Sequence, residues 1–475
     1  MAQHIIIGAG PAGVAAAETI RATAGADAQI TLISNEPAYS RMVLPYYLAN
    51  EIPERHVLTG NQSYFEKHGI DSVSGQVEKV DTQTHTVTLG DGSTHSFDTL
   101  LIATGSSAQR PPISGIDQKG VFTFWTLDDA KQVMAKGQGA PQAVLIGAGF
   151  IGFIVLNAMA KLGWNLSVVE TKSQVLPRML DTKGAEAVED WLSNRHVAVH
   201  TGAQVQSITR QGDKLSLSLS TGSSLSADIV ILATGIQPNL SFLDGSGITV
   251  DGGVVVDDRM QTNIPGIYAA GDVAAGPDLL NGSSAVHAIQ PTAVDHGRIA
   301  GVNMAGKETH YPGSLLLNVL DVINLHCASF GQWHEDGQET TIVSNPTRPI
   351  YRKYVWDCDR MVGALFVGRI DDVTMLNDVG MVKGLIQTRQ TLGNWADYIK
   401  KNPTDIRRAY VATGTAQKLI SQTLLGAPAK DRAYRLNGKT LQTWKKVSHA
   451  PLIGTRPDRL DELPRTPTPG IGKAD

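Results

Sequence analysis

The stretch HIIIGAGPAGVAAAE at residues 4–18 decides the fold. An apolar run typical of a buried strand leads into Gly8, Gly10 and Gly13, which have the spacing G-x-G-x-x-G, and an alanine-rich helix follows. In that motif the first glycine permits a sharp turn, the second lets the backbone approach a pyrophosphate, and the third lets the helix pack closely on the sheet. The helix N-terminus favours an anion because its free N–H groups and its dipole point outward. This stretch therefore predicts the phosphate cradle of a Rossmann-like domain.

A second strand follows at the distance that this fold requires. The segment ITLISNEP at residues 30–37 is apolar and carries Glu36 near its end. A carboxylate in that position can accept hydrogen bonds from the ribose hydroxyls of a dinucleotide. Glu36 is therefore predicted to bind the same cofactor as the glycine-rich turn.

The chain contains a second copy of the pattern. Residues 143–154 read AVLIGAGFIGFI, with Gly147, Gly149 and Gly152 in the same spacing, and the next strand ends at Glu170. Two such units in one chain predict two dinucleotides. The carboxylate of Glu170 favours the free ribose hydroxyl of NAD(H) and repels the additional phosphate of NADP(H).

Composition narrows the class of protein. The 475 residues carry a net charge of −4, which gives no electrostatic reason to expect nucleic-acid binding. The N-terminus has no features of a signal peptide, and no apolar run is long enough for a membrane helix. Only two cysteines are present, which favours a reducing compartment. We therefore expect a cytoplasmic protein that binds neither nucleic acid nor a membrane.

Three further motifs identify a family. They are IATG at residues 102–105, LATGIQPN at 232–239 and TNIPGIYAAGDV at 262–273. Together with the two glycine-rich turns they resemble the FAD-dependent pyridine nucleotide–disulfide oxidoreductase superfamily. The resemblance implies that Gly271 and Asp272 bind the ribityl and pyrophosphate part of FAD.

The resemblance extends the predicted sites residue by residue. It implies that the backbone of Val77 contacts adenine, that Thr104 and Gly105 form the loop between the FAD and NAD domains, and that the segment from Gln290 to Thr292 lies near the flavin ring. The residues predicted to bind FAD are Gly8, Gly10, Pro11, Ala12, Gly13, Glu36, Arg41, Val77, Thr104, Gly105, Gly271, Asp272, Gln290, Pro291 and Thr292. The residues predicted to bind NAD(H) are Gly147, Gly149, Phe150, Ile151, Gly152, Glu170 and Gly235.

Within the superfamily the sequence is similar to the FAD module of NADH-dependent nitrite reductases and to NADH-linked rubredoxin and ferredoxin reductases. The segments YSRMVLPYYLANE at residues 39–51 and ETKSQVLPRMLD at 170–181 carry this likeness. So do LNVLDVINLHCASFG at 317–331 and YRKYVWDCDRMVGALFVGRIDD at 351–372, which match their small C-terminal domain. The flavin subunit of tungsten-dependent aldehyde oxidoreductases is a related possibility.

The sequence departs from the disulfide reductases of the superfamily at one informative site. Met42 stands where related enzymes place a redox cysteine, and a thioether forms neither a thiolate nor a disulfide. Cys327 and Cys358 are far apart and lack C-x-x-C spacing, so we interpret them as non-redox residues. No ligand set for an iron–sulfur cluster or zinc is present, so no metal is predicted. Arg41 is predicted to reach the FAD pyrophosphate.

Two other features concern the region of the flavin ring. Ile154 replaces a glutamate that many relatives carry near the flavin and nicotinamide, which predicts a more apolar site. His287 and His296 flank the Gln290–Thr292 segment and are interpreted as structural. A helix is expected to follow the Gln290–Thr292 segment. The positive N-terminal end of its dipole would favour negative charge on the pyrimidine edge of the flavin without help from a side chain.

These motifs predict an α/β protein with two Rossmann-like dinucleotide-binding domains, a small C-terminal α/β domain and an extended tail. The FAD domain is predicted to be discontinuous, at residues 1–112 and 245–310, with the NAD domain at 113–244 inserted between its parts. The small domain is predicted at 311–398. The remaining segment, 399–475, is predicted to be a C-terminal extension that binds a partner, because residues 428–475 contain ten Lys+Arg and five Asp+Glu.

The predicted function is electron transfer between NADH and the iron–sulfur centre of a partner protein or subunit, or a rubredoxin-type carrier, through FAD. Two alternatives stay open. One is a stand-alone NADH oxidase, quinone reductase or nitrite-reductase-type diaphorase, and the other is a flavin-binding scaffold that does not turn over. No side chain of the protein is predicted to act as a nucleophile or acid, since the cofactors carry the chemistry.

Overall fold

The computed structural model describes residues 2–334, 337–345 and 348–421, together with the strands at 434–436 and 439–441. Its helices are α1 Pro11–Ala24, α2 Leu44–Leu48, α3 Gln62–Lys67, α4 Leu127–Lys136, α5 Phe150–Lys161, α6 Thr182–Ser193, α7 Gln290–Met304, α8 Val373–Gln387, α9 Asn394–Lys401, α10 Ile406–Ala412 and α11 Thr415–Ser421. Short 3-10 turns occur at Arg41–Val43, Glu54–His56 and Ser241–Leu243. Among the described residues no helix is both long and apolar enough to cross a membrane.

The first large sheet is parallel and joins distant parts of the chain. Its order is β19-β7-β1-β2-β3, with β1 Gln3–Ile7, β2 Gln29–Ser34, β3 Ile70–Ser74, β7 Thr99–Ile102 and β19 Ile267–Ala269. Its apolar strands are buried, as expected for a parallel sheet that is covered by helices. Helices α1 and α7 pack closely, since a Cβ atom on Gly297 would lie 2.2 Å from the carbonyl oxygen of Ala12. This close packing places the N-termini of both helices near the ends of the strands.

The second large sheet repeats this plan. Its order is β12-β11-β10-β16-β9, all parallel, with β9 Val121–Thr123, β10 Gln142–Ile146, β11 Asn165–Val169, β12 Ala198–His200 and β16 Ile229–Leu232. Helix α5 follows β10 directly, as α1 follows β1. The chain therefore contains two Rossmann-like units in succession.

Smaller antiparallel or mixed sheets complete these two units. They consist of β4 Val77–Asp81 with β5 Thr86–Leu89 and β6 Thr94–Ser96; β13 Val205–Gln211 with β14 Lys214–Leu219 and β15 Ser224–Ala227; and β18 Val254–Val255 with β20 Ala274–Pro277 and β21 Ser284–Ala285. A two-stranded ribbon pairs β8 Ser106–Ala108 with β17 Ile236–Pro238. Strand β8 leads from the first unit to the second and β17 leads back. We therefore propose that the FAD and NAD domains have the limits predicted from the sequence, 1–112 with 245–310, and 113–244.

The C-terminal part of the chain forms a five-stranded antiparallel sheet. Its order is β22-β23-β26-β25-β24, with β22 Leu317–Val322, β23 Leu325–Gly331, β24 Glu339–Asn345, β25 Ile350–Asp357 and β26 Arg360–Arg369. Helices α8, α9 and α10 contribute to one buried apolar cluster with this sheet. The predicted fold class, with two Rossmann-like domains and a small C-terminal α/β domain, is confirmed.

We propose that the small domain extends beyond residue 398, the limit predicted from the sequence. That position lies inside α9, and Ile399, Ile406 and Ala409 beyond it are fully buried against the C-terminal sheet. These three residues lie on the buried sides of α9 and α10, which pack in one apolar cluster with the C-terminal sheet. In this proposal the domain continues at least through α10. The predicted partner-binding segment, residues 428–475, lies outside the described residues except for the paired strands β27 Tyr434–Leu436 and β28 Lys439–Leu441.

Candidate cofactor-binding sites

The first glycine-rich turn has the geometry of a phosphate cradle. Gly8 has φ +109°, and a Cβ atom there would lie 2.2 Å from the carbonyl oxygen of Ala103. A Cβ atom on Gly13 would lie 1.9 Å from the carbonyl oxygen of Gly8. At Gly10, by contrast, a Cβ atom would meet nothing within 4 Å. The outer glycines are thus required for packing, and Gly10 leaves open space in front of the helix.

The helices that point at this region lack side-chain caps. Helices α1, α5 and α7 begin after Gly10, Gly149 and Ile289, none of which accepts an N-terminal hydrogen bond through a side chain. Helices α4 and α6, in contrast, are capped by Thr126 and Asp181. Uncapped N–H groups together with the helix dipole favour an anionic ligand. The phosphates of a dinucleotide would satisfy the ends of α1 and α5.

The first cavity has a volume of about 550 Å³. It brings together most of the residues predicted to bind FAD: Gly8, Gly10, Pro11, Ala12, Glu36, Arg41, Val77, Thr104, Gly105, Gly271, Asp272, Gln290 and Pro291. Gly13 lies behind this surface, where its role is helix packing. We call this space the FAD cavity.

Thr292 was predicted at this site and does not line the cavity. It is buried in the first turn of α7, and its side chain forms a hydrogen bond with Tyr311. In its place Ala288, Ile289 and Ala293 reach the cavity surface. The helical periodicity of α7 explains the correction, because the residues from Gln290 to Thr292 cannot all face the same side of one helical turn.

Glu36 and Arg41 form an ion pair in the wall of the FAD cavity. Nη2 of Arg41 lies 2.7 Å from Oε2 of Glu36, and the guanidinium group also stacks near the rings of Tyr39 and Trp125. Nε of Arg41 is buried and has no hydrogen-bond partner among the described residues. This donor is available to an acceptor in the cavity, such as a phosphate or a flavin oxygen.

Asp272 provides a half-buried carboxylate in the same cavity. Burial raises the pKa of Asp272, while the hydrogen bond from Ser106 and the charge of Arg41 oppose that rise. The Oγ atom of Ser106 donates to Oδ2 of Asp272 at 2.9 Å. A half-buried carboxylate with one such bond among the described residues gains from further donors, and the ribityl hydroxyls of FAD are donors of the right type. Asp272 therefore fits the role implied by the sequence.

The loop between the two units is held by reciprocal hydrogen bonds that sequence reasoning missed. Nδ2 of Asn239 donates to the carbonyl oxygen of Thr104 at 2.9 Å, and Oγ1 of Thr104 donates to the carbonyl oxygen of Asn239 at 3.1 Å. The backbone amide of Asn239 donates to the carbonyl oxygen of Gly105, whose φ is +62°. Asn239 belongs to the LATGIQPN motif at 232–239, so that motif contained the signal.

A second cavity, of about 730 Å³, lies at the N-terminus of α5. Its lining includes Gly147, Gly149, Phe150, Ile151, Glu170 and Gly235, all predicted to bind NAD(H). Gly152 lies behind it, because a Cβ atom there would be 2.5 Å from the carbonyl oxygen of Gly147. We call this space the NAD cavity.

Glu170 is buried at the end of β11 and is bonded to the protein on both oxygens. Oε2 accepts a hydrogen bond from the amide of Ala148 at 2.7 Å, and Oε1 accepts one from the amide of Lys172 at 2.8 Å. Thr171 also donates to Oε1. Lys172 and Arg178 line the same cavity. Glu170 therefore holds the glycine-rich loop in addition to facing the ligand space.

The two cavities meet at a shared surface, which we call the common wall. It is formed by Arg41, Met42, Trp125, Phe150, Ala288, Ile289 and Leu317. Trp125 and Leu317 were not predicted, although Trp125 lies in the segment FTFWTLDDA, whose resemblance to the family linker was a signal. Nε1 of Trp125 donates to the carbonyl oxygen of Ser106 at 2.6 Å, which fixes the ring in the wall. Leu317 comes from the C-terminal domain, so that domain helps to build the site.

The common wall is the place where two dinucleotides would bring their reactive rings together. Met42 is 46% exposed and lies in this wall, at the position where disulfide reductases would carry a thiol. Ile154 also lines the NAD cavity, with Phe150 and Ile151 of the same helix. Neither cavity lining contains a cysteine among the described residues, since Cys327 is buried in β23 and Cys358 is exposed in a turn. The described residues also contain no cluster of three His, Cys, Asp or Glu side chains suited to a metal.

Fold and sites together define a flavoprotein with an FAD site and an NAD(H) site that share one wall. The model of the family "Pyridine nucleotide-disulphide oxidoreductase" matches residues 2–297, and the chain belongs to that family. Its members bind FAD and NAD(H), so both predicted cofactors are confirmed, and the protein is an NADH-dependent flavoprotein oxidoreductase.

Two curated relatives match much of the chain, and the second of them, a nitrite reductase, is of a kind expected from the motifs. The epsilon subunit of NADH-dependent phenylglyoxylate dehydrogenase from Aromatoleum evansii is 29% identical over 430 residues, which cover 89% of this chain and 98% of that subunit. Nitrite reductase [NAD(P)H] from Bacillus subtilis is 30% identical over 371 residues, which cover 77% of this chain and 45% of the reductase. The chain thus spans nearly all of the first relative and less than half of the second.

Solved structures share the fold. An NAD-dependent persulfide reductase from A. fulgidus has a TM-score of 0.77 at 29% identity, covering 88% of this chain and 84% of that one. A ferredoxin reductase from Rhodopseudomonas palustris has a TM-score of 0.76 at 22% identity, covering 86% and 100%. NADH:rubredoxin oxidoreductase from Clostridium acetobutylicum has a TM-score of 0.68 at 24% identity, covering 82% and 96%. The predicted resemblance to rubredoxin and ferredoxin reductases is confirmed at the level of fold.

Proposed function

We propose that this chain passes electrons between NADH and the iron–sulfur or rubredoxin-type centre of a partner protein or subunit, without a redox-active disulfide. The observation that carries the proposal is the common wall. It joins the FAD cavity directly to the NAD cavity, and it contains Met42 where a thiol would be needed for a disulfide cycle. Both cysteines are free, which also supports a reducing, cytoplasmic location.

When bound, FAD supplies the conversion between two-electron hydride chemistry and single-electron transfer. The residues of this chain would bind the two cofactors and orient their rings. The uncapped ends of α1 and α5 would hold the two pyrophosphates, and Asp272 would hold ribityl hydroxyls. Oγ of Ser40 donates to Oε1 of Gln290 at 2.6 Å, which leaves the amide N–H groups of Gln290 available to the flavin. The apolar residues of the common wall exclude water from the space between the rings.

The relatives support a partner of this kind. The relative that the chain matches over nearly its full length is named as one subunit of an NADH-dependent dehydrogenase, and the matching part of nitrite reductase is one section of a larger enzyme. A flavin module that recurs as a part of larger redox enzymes delivers its electrons to another centre. A tungsten-dependent aldehyde oxidoreductase stays one candidate for the whole enzyme, with this chain as its flavin subunit.

Anaerobic stopped-flow spectroscopy tests the proposal. NADH should bleach the flavin absorbance of the purified chain, and the reduced protein should then reduce a rubredoxin or a [2Fe–2S] ferredoxin faster than it reduces oxygen or a quinone. A matched control is Gly149→Asp, which places a carboxylate cap on α5 where the NAD pyrophosphate would bind. That variant should retain FAD and dithionite reduction but lose reduction by NADH.

The alternatives give different results in the same experiment. A flavin that stays oxidised with NADH in the wild-type protein would indicate a scaffold. Rapid oxygen or quinone turnover with no electron transfer to either carrier would indicate an oxidase or a diaphorase, and the proposal would then be wrong.

A further inference from the structure

A buried histidine in the NAD cavity has no role in the sites described so far. His287 lies just before α7, and its side chain is 5% exposed. It lines the NAD cavity together with Val286, Ala288 and Ile289, of which the last two belong to the common wall. The imidazole therefore lies beside the place where the nicotinamide ring would meet the flavin.

The carboxylate of Asp278 faces one of the two ring nitrogens of His287. Nε2 of His287 lies 3.3 Å from Oδ2 of Asp278, while Oδ1 of Asp278 accepts the backbone amides of Leu280 and Asn281 at 2.9 and 3.1 Å. Burial acts to raise the pKa of Asp278, yet the hydrogen bonds from His287 and from the two amides together lower it. An ionised carboxylate only accepts hydrogen bonds, so in a neutral imidazole Nε2 carries the proton.

The other ring nitrogen is then an acceptor. Both ring nitrogens of His287 are buried without a hydrogen bond of good geometry among the described residues, but Nε2 has the carboxylate of Asp278 within ion-pair distance and Nδ1 does not. A buried acceptor without a donor costs free energy, which a ligand N–H group placed against it would recover. In the common wall, Nη2 of Arg41 and Nε1 of Trp125 are donors that are already bonded, and the remaining side chains there are apolar. His287 thus offers a buried side-chain acceptor directly beside the common wall.

We propose that His287 positions the nicotinamide ring of NAD(H) by accepting a hydrogen bond from its carboxamide N–H group at Nδ1, with Asp278 holding the tautomer. The carboxamide is the amide donor of the nicotinamide ring, and it is the group that distinguishes the two edges of the ring. A fixed carboxamide would therefore determine which face of the ring is presented to the flavin. This inference rests on the proposed function only in placing the dinucleotide in the NAD cavity.

The test compares two ligands that differ at this group. Isothermal titration of the oxidised, FAD-loaded protein at pH 8.5 would give Kd values for NAD⁺ and for its 3-acetylpyridine analogue, in which a methyl ketone replaces the carboxamide. The analogue keeps the carbonyl oxygen and loses the N–H donor. In the wild type the analogue should bind more weakly than NAD⁺. In His287→Phe the Kd of the analogue divided by the Kd of NAD⁺ should fall about fivefold, which corresponds to one neutral hydrogen bond. Glu186→Gln, an exposed change on α6 outside both cavity linings, should leave the ratio unchanged.

A second variant keeps the imidazole in place. In Asp278→Asn the amide of the new side chain can donate to Nε2, so Nδ1 becomes the protonated nitrogen and a donor. A donor at that point pairs with a carbonyl oxygen, which both ligands possess, so the ratio should again fall. If both His287→Phe and Asp278→Asn bind the two ligands with the wild-type ratio, His287 is merely structural and the inference is wrong. A wild-type protein that binds neither ligand would instead overturn the proposed function.

Discussion

The backbone amide of Ala148 donates a hydrogen bond of 2.7 Å to the carboxylate of Glu170, which ties the end of β11 to the glycine-rich loop before α5. Glu170 therefore does two things at once. It carries the negative charge that would face an additional phosphate on the ribose, and it fixes the loop that would bind the pyrophosphate. Lys172 and Arg178 line the same cavity and oppose the first effect, without changing the second.

We expect the protein to prefer NADH over NADPH by at least roughly tenfold in kcat/KM, since about 1.4 kcal/mol is sufficient for that ratio. Glu170→Gln removes the charge and keeps the size of the side chain, so the preference should narrow. Because Gln accepts at one oxygen only, binding of NADH should also weaken. The exposed Glu186→Gln on α6 is the control and should change neither quantity. Equal efficiency of the wild type with both cofactors would contradict this role of Glu170.

The two glycines at the start of α1 should respond differently to alanine. Gly8→Ala introduces a side chain at φ +109° and 2.2 Å from a backbone oxygen, so the free energy of unfolding of the apoprotein should fall by ~1–3 kcal/mol or more. Gly10→Ala meets no neighbour within 4 Å, so apoprotein stability should be preserved. The added methyl group would occupy the phosphate position, and FAD affinity should fall. Urea denaturation measures the stability of the apoprotein, and flavin fluorescence measures FAD affinity. A Gly10→Ala variant that is destabilised but binds FAD normally would contradict the role of Gly10 in leaving space for the phosphate.

The cysteines should be dispensable. Burial raises the pKa of the Cys327 thiol, which keeps it protonated and unreactive, and Cys358 lies outside both cavity linings. The double variant Cys327→Ala, Cys358→Ser should therefore reduce its flavin with NADH at a rate within about twofold of the wild type, given that core substitutions of this size mainly affect stability. The wild type should show no disulfide reductase or thiol peroxidase activity. Such an activity, lost in the double variant, would contradict the interpretation of Met42.

The parts of this architecture that could be predicted from the sequence are formed by residues close together along the chain. Gly8, Gly10 and Glu36 belong to one strand–helix–strand unit, so their spacing carries the geometry. Leu317 of the C-terminal domain could not be found in this way, because its place in the common wall depends on how separate sheets pack. Thr292 was misassigned for a related reason, since the motif gave the segment but not the face of α7. The buried Ile399 was missed because family resemblance weakened after the small domain, although its apolar periodicity with Ile406 was present.

A partly buried aspartate on α7, Asp295, should make stability depend on pH. Burial raises the pKa of Asp295 to about 6, although the charges of Arg298 and Lys383 oppose the rise. The folded protein thus holds this proton more strongly than the unfolded chain, so the stabilisation is complete at pH values below about 4 and is lost as the pH rises through about 6. Asp295→Asn should gain stability relative to the wild type between pH 4 and pH 7, by on the order of 2 kcal/mol.

Chemical denaturation at several pH values measures this effect. The exposed Asp213→Asn serves as a control and should show a difference from the wild type that does not vary with pH in this way. A difference between Asp295→Asn and the wild type that is constant from pH 4 to pH 7 would contradict the assignment of the titration to Asp295.

The C-terminal segment offers a test of how a partner is recognised. Residues 428–475 carry ten Lys+Arg and five Asp+Glu within a chain of net charge −4. An acidic electron carrier would be attracted to this excess of positive charge, and its rate of association would fall as salt is added. Truncation after Gly426 removes the segment and leaves α9 and α10, which complete the small domain. We expect the truncated protein to be reduced by NADH at the wild-type rate, and to transfer electrons to its partner more slowly and with a weaker dependence on ionic strength. Stopped-flow measurements over a range of salt concentrations would decide, and an unchanged salt dependence would show that docking relies on another surface.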